Sequence, residues 1–226
     1  FFNRFRRKDI EFAREMFEEA IRTDENYAPA WAGYADCHSF LVMYADPRPG
    51  YRETADTASA RAVELAPDLA EAHAARGLSY LVSEDFTAAE HEFQTALKLN
   101  PKLFEAHYYF ARTRFHQGRL DEAMELFRSA AEVAPADFQS RCLRIQILRG
   151  TGHVDQARAL VEHLERFVAR RRDQADVRFP RLTGVTVEPL VTGWVTMTTE
   201  TMMKAKGIVR GTSCRQPLPD STRNGP

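Results

Sequence analysis

This chain predicts an all-α solenoid of stacked helix-turn-helix pairs, closed by an irregular, non-repeat C-terminal tail. Three observations predict it. Alanines recur every 34 residues in two columns, Ala55, Ala89, Ala123 and Ala62, Ala96, Ala130. Prolines follow at the same period, Pro67, Pro101 and Pro135, and Phe93 and Phe127 supply a further match. A period of 34 belongs to two-helix units that cannot bury an apolar stripe alone and must stack on their neighbours.

Taken in order, the first stretch FFNRFRRKD reads as the tail of a first helix. Asp9 to Arg22 reads as a second helix carrying Ala13, Phe17 and Ala20. With no initial Met, the expectation is a piece of a longer polypeptide, the first repeat being incomplete. Ala28 to Phe40 is the next first helix, with Trp31, Ala35 and His38 at helical spacing. From Ala13 to Ala55 the spacing is 42, so about eight extra residues sit near 43–51, where YADPRPGY is expected to form a surface loop.

Ala70 to Ser83 carries His73, Gly77 and Tyr80, and Phe104 to Gln117 carries His107, Ala111 and Arg114 in the same places. Ala35, Gly77 and Ala111 form a small-residue column suited to close helix crossing. Phe86 to Pro101 and Leu120 to Pro135 are second helices, the former preceded by Asp85 as N-cap. Each column alanine is expected at the closest approach of two helix axes, with the phenylalanine beside it. Arg76, Arg144 and Ile145 depart from the packing columns, so the fourth pair is expected to be looser or more twisted. Residues 153–169 close the series with Val161 and Leu164 replacing the aromatic and the alanine.

These residues resemble the tetratricopeptide repeat: a large, a small and an aromatic residue on the first helix, Ala-x3-Phe-x2-Ala on the second, then Pro. The match covers roughly 1–170, and the resemblance implies a right-handed superhelix whose first helices line a concave groove. By it, the groove would be lined by Glu71, Ala74, Leu78, Leu81 and Val82, then Glu105, Tyr108, Arg112, Phe115 and His116, then Gln139, Cys142, Gln146 and Arg149. Arg112 and Arg149 could pair with a carboxylate or phosphate, so the expected ligand is an extended peptide or short helix carrying apolar residues and an acidic group. Some relatives clamp an acidic chaperone tail with Lys and Asn. Here Ala74, Leu78, Tyr108 and Arg112 stand in those places, which argues against that specificity.

Two functions are implied: a protein-interaction scaffold, or the docking region of a larger bacterial signalling protein whose cyclase, kinase or DNA-binding domain lies upstream. Catalysis is not expected. His73 and His107 sit in a packing column, and His91, His116, His153 and His163 lack zinc spacing. Gly207 and Gly211 near Lys204 and Lys206 have the wrong order for a phosphate loop. Cys37, Cys142 and Cys214 form neither a disulfide framework nor a metal motif, so no cofactor is expected.

A net charge of −1 gives no mandate for nucleic acid or membrane, despite basic runs at Arg4 to Lys8 and Arg170 to Arg172. The expected partner is a protein or peptide, in a cytoplasmic setting. Residues 171–226 change composition and are expected to be an irregular or disordered tail, the alternative being a small β element with one or two short strands around Leu190 to Thr199.

Overall fold

The structure, a computed structural model, describes residues 7–44 and 49–174. The strands expected around Leu190 to Thr199, Cys214 and the Gly207–Gly211 region lie outside the described residues. Among the described residues nine helices follow one another: α1 Arg7–Thr23, α2 Ala28–Tyr44, α3 Pro49–Leu65, α4 Ala70–Val82, α5 Phe86–Leu99, α6 Phe104–His116, α7 Leu120–Val133, α8 Gln139–Gly150 and α9 Val154–Gln174. Arg7 to Asp9, read from sequence as the tail of a preceding helix, are the first turn of α1. The boundary drawn at 170 falls inside α9. Two units are distinguished, Phe1–Arg144 and Ile145–Pro226. The division falls between Arg144 and Ile145, two residues that depart from the packing columns.

In the first unit each helix packs on the next from α1 to α7, and the first helices of successive pairs also pack on one another, α2 on α4 and α4 on α6. The alanine columns make this possible. Ala55, Ala62, Ala89, Ala96, Ala123 and Ala130 are all fully buried, as are Ala35, Ala111, Phe93 and Phe127. A methyl group lets backbones approach where a longer side chain would hold them apart, and the adjacent phenylalanine fills the remaining space. Gly77 carries this to its limit: a Cβ there would lie 2.7 Å from the ring of Phe93.

Two further columns tie the repeats together. The large residue of each first helix donates a hydrogen bond to the carbonyl six residues before it. Trp31 Nε1 reaches Glu25 O at 2.8 Å, His73 Nε2 reaches Pro67 O at 2.9 Å, His107 Nε2 reaches Pro101 O at 2.9 Å and Arg141 Nη1 reaches Pro135 O at 3.1 Å. Four different side chains thus satisfy the same turn carbonyl between repeats. The turn inside each pair holds one residue in the left-handed region, Glu84, Gly118 and Gly152, with φ of 64°, 79° and 85°. There Asp85 N–H reaches Tyr80 O, Arg119 N–H reaches Arg114 O and His153 N–H reaches Leu148 O, closing the helix end. Asp85 caps α5 by accepting from Ala88 N–H at 3.1 Å, as its position predicts.

The eight extra residues are only partly a loop. Helix α2 has 17 residues against 13 in α4, and α3 has 17 against 14 in α5, so helix extension takes up most of the insertion. Arg76 earns its unusual place by joining α4 to α3, donating to Asp56 Oδ1 at 2.6 Å and to Ser59 Oγ at 3.2 Å. In the second unit, Ile145, Ile147 and Leu148 of α8 and Ala157 and Leu164 of α9 are buried.

Candidate functional site

The first helices α2, α4 and α6 pack on one another in the first unit, and the sequence-predicted groove residues lie on α4, α6 and α8. Seven of the fourteen are not exposed: Ala74, Leu78, Leu81, Val82, Tyr108, Phe115 and Cys142 are buried. This corrects the expectation of an open apolar stripe. First helices packed directly on one another consume the short side chains between them, and aromatic contacts consume the long ones. Tyr108 stacks on Phe104 at 5.6 Å and meets the edge of Phe127 at 5.8 Å. Burial first, then the charge of Asp137, pushes the Cys142 thiol up to about 11, so it is a packing group and a poor nucleophile.

Glu71 and Glu105 are exposed, one repeat apart, and Arg112, His116 and Gln139 are half-buried. Gln146, half-buried, and Arg149, exposed, belong to the second unit. Sequence reasoning reserved Arg112 for a ligand carboxylate, but it already has partners. Its Nη1 donates to Tyr44 Oη at 2.7 Å and to Met43 Sδ at 2.9 Å, both at the end of α2. Burial works against its charge, but the hydroxyls of Tyr44, Tyr108 and Tyr109 outweigh that and hold its pKa above the ordinary arginine value.

Asp36 was absent from the predicted set. It lies on α2 where its carboxyl feels Glu105 of α6. Burial, then that negative neighbour, pushes it up to about 8, so near neutrality it holds its proton. Its signal in the sequence was its position, 42 residues before Leu78 in a groove column. His38, also on α2, is turned away from this face. It sits between Tyr34 at 4.6 Å and Tyr51 at 5.5 Å with both ring nitrogens buried and unpartnered.

On the outer side, Arg114 is buried and binds Glu90 through both terminal nitrogens, approaches Glu122 at 3.3 Å and lies 4.7 Å from the Phe110 ring centroid. This network ties α5, α6 and α7 together. It borders an open depression of about 450 Å³ whose lining includes Asp121, Glu122 and Glu125. Among the described residues no group of three His, Cys, Asp or Glu could hold a metal ion. No described helix is long and apolar enough to cross a membrane.

Residues 74–138, which span most of the α4–α5 and α6–α7 pairs, match the tetratricopeptide repeat family model. Helices α4 to α7 therefore form tetratricopeptide repeats. Tetratricopeptide repeat protein 13 of Homo sapiens is 40% identical over 70 residues, 31% of this chain and 8% of that protein. The chain therefore spans a small part of that curated relative. Among solved structures, MamA superposes with a TM-score of 0.55 at 17% identity, covering 74% of this chain and 92% of its own, a likeness of fold. A thermophilic TPR protein of Thermus thermophilus superposes with a TM-score of 0.53 at 27% identity, covering 62% of this chain and 73% of its own. Tetratricopeptide arrays are scaffolds for contacts between proteins, and this array shares that architecture.

Proposed function

We infer that this array binds a polypeptide segment of a partner protein along the inner face formed by α2, α4 and α6. One observation carries the reading: the first helices line a common face on which Glu71 and Glu105 project into solvent from matching positions, beside the half-buried Arg112 and His116. Repeated polar projections over a floor of buried apolar side chains give a segment directional contacts along its length, while the packed floor excludes water. The chemistry is recognition by shape and hydrogen bonding, with no covalent step. The buried groove-column residues of α4 and α6 support the floor and do not contact the segment.

The test places a benzophenone amino acid at position 105, on the inner face, and separately at Lys98, exposed on α5. After irradiation with a native extract, position 105 is expected to yield discrete cross-linked partners that position 98 does not. Equal yields and identical products from both positions would refute an inner binding face.

A further inference from the structure

The added turn of α2 does more than lengthen a helix. Its Met43 and Tyr44 extend a set of contacts from α2 to α6, although the two helices belong to pairs separated by a whole repeat. Asp36 feels the charge of Glu105, the Phe40 ring lies 6.1 Å from that of Tyr109, and Arg112 donates to Tyr44 and Met43 at 2.7 and 2.9 Å. These pairings, 36 with 105, 40 with 109 and 44 with 112, hold an almost constant offset of 69, 69 and 68. A constant offset means that the two helices run in the same direction, and steps of three and four residues put each set on one stripe. Helices α4 and α6, with 13 residues each, stop short of any such reach.

We propose that the end of α2, residues 40–44, is a built-in plug that occupies the binding face of α6 and that a partner segment must displace. This rests on the inner-face reading above and gives the segment its chemistry. The plug is a mould of what α6 accepts: an aromatic side chain against Tyr109 and, one turn on, an oxygen acceptor for the Arg112 guanidinium. A partner carrying that pattern gains from α6 only what it takes from Phe40 and Tyr44. Binding is therefore weakened by the cost of opening the plug, and any change that loosens α2 from α6 strengthens it.

The plug is tested without a partner by phenylglyoxal, which modifies accessible arginines, read residue by residue by mass spectrometry. In the unaltered chain Arg112 is expected to react at least about tenfold more slowly than the exposed Arg149 and Arg158, since the reagent must wait for the contact to open. Tyr44→Ala should bring Arg112 to within about threefold of them while buried Arg114 stays protected. If Tyr44→Ala also uncovers Arg114, Met43→Ala is judged by the same criterion. Fast reaction of Arg112 in the unaltered chain overturns the plug. These rates do not depend on the cross-linking at position 105, so the two readings fail separately. If cross-linking there succeeds, its yield should rise in Tyr44→Ala, and an unchanged yield overturns the gating role.

Discussion

Acid should destabilise this array through one histidine, and the size of the effect follows from its surroundings. His38 is 5% exposed with both nitrogens unpartnered. Around it stand Arg14 and Glu18 of α1, Tyr34 of its own helix and Tyr51 of α3. Burial first, then Arg14, lowers its pKa from 6.5 to about 4, with Glu18 pulling weakly the other way. Between those values the unfolded chain binds a proton that the folded one refuses. Stability is whole above pH 6.5 and declines as pH falls toward 4. A span of about 2.5 pH units at 1.36 kcal/mol each gives a loss of about 3 kcal/mol.

The assay is urea unfolding at pH 7.5, 6, 5 and 4 for the unaltered chain and for His38→Phe. The aromatic replacement keeps the contacts with Tyr34 and Tyr51 and removes the titration. Carboxylates titrate in both proteins, so the difference between the two profiles isolates His38. That difference should favour His38→Phe by about 3 kcal/mol more at pH 4 than at pH 7.5. Parallel profiles would refute a buried, neutral, unpartnered imidazole.

Four other outcomes follow from particular contacts. Asp36→Asn should stabilise the chain at pH 9, where the buried carboxyl beside Glu105 must ionise, and the gain should shrink as pH falls below 8; urea midpoints at pH 5 and 9 check the sign. Ala96→Glu puts a charge where no water reaches and should cost about 4 kcal/mol or more, read as a collapse of the thermal midpoint. Arg114→Ala leaves Glu90 and Glu122 with Arg119 as their remaining ion-pair partner, and both are partly exposed, so the cost should sit near about 2–3 kcal/mol, below that of a fully buried pair. Glu84→Gly should stabilise by about 1 kcal/mol, because glycine adopts the left-handed backbone without the Cβ penalty; calorimetry of the variant decides.

The packing frame was readable in the sequence because close helix crossings demand small residues at fixed intervals, and Ala89, Ala96, Ala123 and Ala130 announce themselves by that interval. The turn residues were readable in principle: Gly118 and Gly152 stand 34 apart, but Glu84 in the third place hid the column. The inner face was harder. Leu78, Tyr108 and Phe115 have the periodicity of a stripe, and periodicity reports which residues share a face without saying whether another helix covers it. Arg112 and Tyr44 are 68 residues apart, so nothing local to either could reveal their hydrogen bond.

The amino-acid sequence by itself determined the period, the pairing of helices and the buried columns, because those rest on side-chain volume and helical repeat, which are local properties. The tertiary structure alone decided that α2 reaches past its neighbour to α6. That depends on one added turn and on how each pair is offset from the next, a geometric sum over three pairs that no single segment of the chain encodes.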